Sequence, residues 1–266
     1  MGKLSCIITC YNNAEYIASA IESVIKQSRI PDEIIIADDC STDNSMNIIE
    51  GYAKNNPIIR VLSQKENVGI TRNRDNAIRQ ASGDFITTLD GDDIYYPHKL
   101  SFEYNQLIRD PESVVFSNIN WIDTSGNVTH QLQTQNIHMM KKSDLVRYLL
   151  FREGAIPRDM MYSKELFIRA GGFLPHMEIY EDWDLKLRLS NLASIWKYSG
   201  YNGIGYRRHS GGLSNANPLK HYKYMMMASL NNSEWISDIL GQDAIPKSIL
   251  SMTANLIGAK EIRVIT

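Results

Sequence analysis

Long apolar runs are missing from this 266-residue sequence. No stretch reaches the roughly 18 residues of a membrane-spanning helix, so no transmembrane segment is expected. Cysteine is scarce. Cys6, Cys10 and Cys40 are the only three. They show neither C-x-x-C spacing nor a companion histidine cluster, which argues against a disulfide framework and a zinc site and fits a reducing, intracellular compartment. Neither sign of charge dominates: a net charge of −2 argues against a nucleic-acid binder built on a broad basic face. Glycine-rich phosphate loops are absent as well, since neither G-x-G-x-x-G nor G-x-x-x-x-G-K-[ST] occurs. No targeting segment is expected. The apolar run after Lys3 is too short for a signal peptide, and Cys6 stands where a myristoylation start needs Ser or Thr.

What is present is an ordinary globular composition, 43% hydrophobic and 22% charged, with strand and helix signals in alternation. Residues 4–9 read as a buried strand, followed by a helix carrying Ile17, Ile21, Val24 and Ile25. Asn12 and Glu15 form a capping-box signature ahead of that helix. A second strand over 33–37 lands on Asp38-Asp39-Cys40-Ser41-Thr42-Asp43, and a helix starts near Asn44. A third strand over 58–62 leads to Glu66-Asn67-Val68-Gly69 and a helix over 71–81. The fourth strand, 85–89, runs straight into Asp90-Gly91-Asp92-Asp93, after which Pro97 reads as the first residue of a helix.

Four such repeats predict an α/β fold with a parallel sheet between helices. Ligands of such sheets bind beyond the carboxyl ends of the strands, where these four polar loops should meet on one rim. Three acids at one strand end repel each other. Taken alone they fit either an acidic helix-capping turn or a hard divalent cation with oxygen ligands; their convergence with the other loops favours the cation. An EF-hand is excluded, because counting from Asp90 the sixth residue is Tyr95 and the twelfth is Ser101.

The remainder changes character. Strands are expected over 113–122 and 128–132 around a turn, and helices over 143–151 and 164–170, the latter stopped by Gly171-Gly172. Tyr180-Glu181-Asp182-Trp183-Asp184 opens another helix. Two separate strands, 194–198 and 203–207, lead into Arg208-His209-Ser210-Gly211-Gly212. From Pro218 the pattern is mostly helical.

Taken in order, several segments resemble family 2 glycosyltransferases, which are inverting enzymes of GT-A fold. They are Ile7-Ile8-Thr9-Cys10-Tyr11-Asn12, Ile36-Ala37-Asp38-Asp39, Asn67-Val68-Gly69 with Arg72 and Asn73, and Leu89-Asp90-Gly91-Asp92-Asp93. Gly171-Gly172-Phe173, the segment from Glu181 to Leu189 and Tyr206-Arg207-Arg208-His209 continue the likeness across roughly residues 3–212. The resemblance implies a nucleotide-sugar-binding half over 1–100, an acceptor-binding half over 101–217 and a helical extension over 218–266.

The same resemblance implies that Thr9, Tyr11, Asp39, Asn67, Arg72, Asp90 and Arg207 bind the donor, with Asp39 on the uracil edge. Asp92, Asp90 and His209 would hold Mn2+ or Mg2+ in a DXD-type site, and Asp182 would be the general base. Glu181 and Asp184 are expected to raise the pKa of Asp182 by like-charge repulsion. The implied reaction is transfer of one sugar from a nucleoside diphosphate, UDP foremost, to the hydroxyl of a saccharide or lipid-linked acceptor, in bacterial polysaccharide or glycolipid synthesis. The chain lacks the Q-x-x-R-W motif and the membrane spans of processive synthases. A cytoplasmic protein is implied, with a peripheral place on the inner membrane face and a homo-oligomer as open options. Two rivals stand beside this reading. One is a sugar nucleotidyltransferase, whose Gly-rich basic loop Cys10-Tyr11-Asn12-Asn13 does not match. The other is a catalytically inactive nucleotide-sugar-binding protein, which would not need both the metal acids and a base.

Overall fold

The computed structural model describes residues 2–209 and 217–256. Its first half is the expected alternation: β1 (Leu4–Cys10), α1 (Ile17–Ile25), β2 (Glu33–Asp38), α2 (Ser45–Asn55), β3 (Ile59–Ser63), α3 (Ile70–Gln80) and β4 (Phe85–Asp90). These strands pair in parallel in the order β3-β2-β1-β4, and a short β8 (Tyr162–Ser163) adds antiparallel to β4. The central strands β1 and β2 are buried on both faces, as buried parallel strands require, while the edge strand β3 is only partly buried. Their side chains alternate between two cores. Ile7, Ile35 and Ile86 face α3, whereas Cys6, Ile8, Ile34 and Ile36 face α1 and α2. Burial pushes the Cys6 and Cys10 thiols up to about 12, which leaves them inert as nucleophiles.

A second sheet has the order β5-β9-β6-β7, built from β5 (Ile94–Tyr95), β6 (Val114–Ile122), β7 (Val128–Leu132) and β9 (Trp196–Arg207). The two strands expected over 194–207 are one. Opposite Phe116 and Asn118 of β6, the register of β9 jumps from Tyr198 to Asn202, and Gly200 at φ +85° lets the extra residues bulge out. The break between the two expected strands is therefore a bulge inside one strand. Around the sheets lie α4 (Lys99–Leu107), α5 (Lys142–Phe151), α6 (Lys164–Arg169) and α7 (Glu181–Leu192). The tail forms α8 (Pro218–Asn231), α9 (Ser233–Leu240) and α10 (Ala244–Leu256), and Tyr224, Ile236 and Met252 pack into the same core as α5 and α7. Among the described residues no helix is long and apolar enough to cross a membrane.

Two helix starts differ from expectation. The Asn12–Glu15 capping box does not form: α1 begins at Ile17, and Asn13 O accepts the Tyr16 and Ile17 N–H groups. Asn12 sits at φ +52°, and its side chain accepts the Thr42 N–H, joining two rim loops instead. Pro97 precedes α4 rather than opening it, because a turn from Tyr96 O to Lys99 N comes first.

Candidate active site

Parallel register sets Thr9 beside Asp90 and Cys10 beside Asp38, so the loops after β1, β2 and β4 leave the sheet at one edge. The backbone confirms the crowding, since Asp39 N–H donates to Cys10 O and Gly91 N–H to Thr9 O. A Cβ on Gly91 would lie 2.8 Å from Thr9 O, so the residue between the acids has to be glycine. Positive φ angles at Asn12, Cys40 and Gly69 mark the same rim.

Asp39 is buried, and its carboxylate accepts the Val68 and Gly69 N–H groups at 2.8 and 2.9 Å. That pins the loop carrying Asn67, whose side chain stays exposed. Carboxylate lone pairs remain on Asp39 for a further donor. Tyr11 stands open at 47% exposure. These residues line a shallow shelf with free polar and aromatic groups.

The acids after β4 have three separate environments. Asp90 is bonded by Thr9 Oγ1 at 2.9 Å, by Arg158 Nη2 at 2.6 Å and by Arg74 Nη2. Burial works against its ionisation, but Arg74, Arg158 and Thr9 together hold its carboxyl below the usual range. Asp93 is fully buried, bonded by the Arg207 N–H at 2.7 Å and within 2.9 Å of Arg158. Burial pushes its carboxyl well above the usual range, and Asp92, Asp90 and Asp159 add to the push. Asp93 thus anchors the end of β9. Asp92 alone is held by neither arginine side chain; its Oδ2 lies 2.8 Å from His209 Nε2.

The metal expectation can be tested on this donor set. Asp92 and His209 are a carboxylate and an imidazole already in contact, as two ligands of one ion would be. Among the described residues there is no group of three His, Cys, Asp or Glu side chains able to hold a metal. The pair fits a cation that takes its remaining ligands from substrate oxygens, the usual habit of Mg2+ beside phosphates. Asp90, expected to share the ion, instead has its oxygens on two guanidinium groups.

Arg207, expected on the donor, is spent on the protein. Its guanidinium donates to the carbonyls of Asp92, Asp123 and Thr124 and lies over the Tyr16 ring, tying the β6–β7 turn to the acidic loop. Arg72 is exposed on the first turn of α3, while Arg74 two residues on is buried. Arg74 shares the inward face with Thr71, Ala77 and Ile78, a helical phase present in the sequence that singles it out over Arg72. Arg158 carried no such signal, because it lies in a loop. The loop is held by Lys99 Nζ, which donates to Asp159 O at 2.6 Å, and Asp159 itself has φ +49°. Continuations of the closing loop at Ser210-Gly211-Gly212 lie outside the described residues.

The acids of α7 diverge. Trp183 packs inward and bonds Leu149 O, and Asp184 turns to Arg188 and Asn232. Glu181 accepts from Arg74 Nη1 at 2.7 Å. Burial raises its carboxyl to about 7 against the pull of Arg74. Asp182 projects outward with its side chain 44% exposed and pairs with Lys186 Nζ at 2.5 Å. Burial works to raise the Asp182 carboxyl, but Lys186 outweighs it, helped by Arg74 and Arg158, and lowers it to about 2. The expected upward shift is therefore reversed. The reason is helical geometry: Lys186, four residues on, shares a face with Asp182, whereas Asp184 points elsewhere.

A parallel sheet with a nucleotide-type rim, an acidic loop beyond β4 and an outward acid on a later helix define a glycosyltransferase of GT-A fold. The family model "Glycosyl transferase family 2" matches residues 5–171, and the chain belongs to that family. It is 29% identical over 239 residues to the uncharacterized glycosyltransferase YibD of Escherichia coli K12, spanning 83% of this chain and 68% of that protein. It is 26% identical to the glycosyltransferase GlyG of Streptococcus pneumoniae serotype 4, spanning 79% and 72%. Residues 1–349 of S. aureus TarS superpose with a TM-score of 0.73 at 19% identity, covering 98% of this chain and 76% of that one. A second structure of that TarS fragment, in complex with UDP, superposes with a TM-score of 0.72 at 20% identity, covering 96% and 72%.

Proposed function

We propose that the protein transfers a sugar, with inversion, from a nucleoside diphosphate to an acceptor hydroxyl, that UDP is the preferred nucleotide, and that a divalent cation assists. The observation that carries this is the outward Asp182, fixed to the acidic rim through Glu181, Arg74 and Asp90. An exposed carboxylate on a helix braced against the donor rim can receive a proton from one side while the leaving group departs on the other. The acceptor oxygen bonds to the anomeric carbon, its proton passes to Asp182, and the bond to the diphosphate breaks with its electron pair left on phosphate. A cation on Asp92 and His209 would share that negative charge, so no protein acid is needed at the leaving group.

On the donor side, Tyr11 offers a ring face to the base, Asp39 an acceptor for its N–H edge, and Asn67 a polar contact at the shelf's lip. Arg72 is free to reach phosphate from the start of α3. UDP in a related TarS structure supports the choice of nucleotide. Calorimetry with UDP and manganese tests the donor site, and transfer assays with UDP-sugars test the chemistry. Asp182→Asn should keep UDP binding and lose transfer by about 10²-fold or more. The anomeric configuration of the product, read by NMR, tests inversion. Failure of UDP to bind at millimolar concentration would sink the nucleotide assignment.

A further inference from the structure

Lys186 is a buried cation, 5% exposed, one turn below Asp182 on α7. Its ammonium donates to Asp182 Oδ2 and has no other hydrogen bond or ion pair among the described residues. Buried charge needs a counter-ion. Here that counter-ion is the very carboxylate that must accept the acceptor's proton. The other acids of this turn are committed, Glu181 to Arg74 and Asp184 to Arg188 and Asn232. When Asp182 takes the proton, Lys186 is left charged, buried and without a carboxylate. A base held this way is also a weak one, because Brønsted behaviour favours a pKa nearer the working pH. An anion at Lys186 would free Asp182 for the proton, and the acceptor is the molecule that arrives beside Asp182.

A second cation is fixed at the same helix start. Arg152 caps α5, and its guanidinium lies 5.3 Å from the ring centre of Tyr180 and 5.8 Å from that of Trp183. It donates to the Tyr180 hydroxyl and has no carboxylate partner among the described residues. Tyr180 is the N-cap of α7, two residues before Asp182. Lys186 thus borrows its counter-ion from the base itself, and Arg152, held against Tyr180, Trp183 and Met225, is a second cation of this helix start without an acid of its own among the described residues.

We propose that the acceptor is an acidic saccharide, carrying a carboxylate or a phosphate near the hydroxyl to be glycosylated, and that Lys186 binds this anion with Arg152 in support. The inference deepens the transferase reading and rests on it. In the step itself Lys186 keeps all its protons. It exchanges Asp182 for the acceptor's anion, and the released carboxylate takes the hydroxyl proton as the new glycosidic bond forms. The donor's bond to diphosphate breaks in the same displacement.

The test is ligand-observed NMR with UDP and magnesium present. Its probes are the methyl glycosides of glucuronate and galacturonate, glucose 6-phosphate, and the neutral methyl glucoside and galactoside. At least one anionic probe should bind ten times more tightly than its neutral counterpart. Uronates and the phosphate ester in separate arms tell the two sources of charge apart. The preference should disappear in Lys186→Met, survive in Lys186→Arg, and weaken in Arg152→Ala. UDP affinity in each variant reports an intact fold and donor site. Equal binding of acidic and neutral probes, binding of none, or a preference that survives Lys186→Met overturns the proposal. If UDP itself fails to bind the wild-type protein, the transferase reading fails first.

Discussion

Arg74 joins two carboxylates that belong to different halves of the site: its Nη1 lies 2.7 Å from Glu181 Oε1, and its Nη2 is bonded to Asp90. Asp90 ends β4 at the donor rim, and Glu181 opens the helix that carries the proposed base. One guanidinium therefore sets the distance between the two ends of the reaction. Arg74→Met should leave Glu181 buried without a partner and destabilise the protein by about 3 kcal/mol. For a chain of this size the melting temperature should fall by roughly 6–12 °C. Arg74→Lys can satisfy only one of the two acids, so it should recover part of the stability while transfer stays impaired. Melting curves set beside calorimetry with UDP separate the two effects. A melting temperature within a degree of wild type in Arg74→Met would show that the bridge is not structural.

Asp92 is the acid after β4 whose side chain meets His209 rather than an arginine. Asp90 and Asp93 have Arg158 in place of a cation from solution. The metal's contribution should then pass through Asp92. Wild-type protein is expected to bind UDP more tightly with manganese than without it, and Asp92→Ala should remove at least about tenfold of that gain. His209→Ala should remove part of it. Calorimetry with and without manganese checks this. A manganese effect unchanged in Asp92→Ala would place the ion elsewhere.

Glu181 sets a pH dependence whose sign can be worked out. Its carboxyl is raised from an ordinary value of 4.5 to about 7, chiefly by burial. Below about pH 4.5 folded and unfolded chains both hold this proton. Between 4.5 and 7 the unfolded chain releases it while the folded chain keeps it, so this group's contribution to stability falls as pH rises across the window. Above about 7 the contribution is constant. Glu181→Gln removes the titrating group. The melting temperature of the variant, measured relative to wild type, should therefore rise from pH 4.5 to pH 7 and level off beyond it. A difference that stays flat across the window would mean that Glu181 is ionised throughout.

Much of this was legible in the chain itself, and the misses have physical causes. Strand ends are readable because parallel strands are short apolar runs that stop at polar residues, which puts Thr9, Asp39 and Asp90 on one rim from sequence alone. Which way a side chain faces was harder. Arg72 and Arg74 lie two residues apart, and only the inward phase of Thr71, Ala77 and Ile78 separates them. Repulsion from Asp184 predicts a raised Asp182 carboxyl, but nearness in sequence is not nearness in space. Asp184, two residues on, is on another face, while Lys186, four residues on, is in contact. Arg158 is out of reach of sequence reading, since a loop has no period and its rim partners Asp90 and Asp93 lie more than 60 positions away.

What holds Arg158 in place is a buried ion pair far from it in sequence. Lys99 and Glu103, both fully buried, meet at 2.8 Å on α4, and Lys99 also donates to Thr87 Oγ1 and Asp159 O. Ser117 satisfies the second oxygen of Glu103. Through Asp159 O, the ammonium fixes the residue that follows Arg158, whose guanidinium then reaches Asp90 and Asp93. Lys99→Met leaves a buried carboxylate unpaired and should destabilise by about 3–5 kcal/mol. Adding Glu103→Leu removes that carboxylate, so the double variant should recover most of the stability, since a buried pair is often replaceable by apolar residues. Recovery should not extend to UDP binding, because the hold on Asp159 O is still missing and Arg158 loses its seat. Denaturant unfolding of the three variants gives the coupling energy, and UDP titration of the double variant gives the functional effect. If the double variant regained both stability and wild-type UDP affinity, Lys99 would be a matter of packing alone and Arg158 would be positioned by its carboxylates without help from α4.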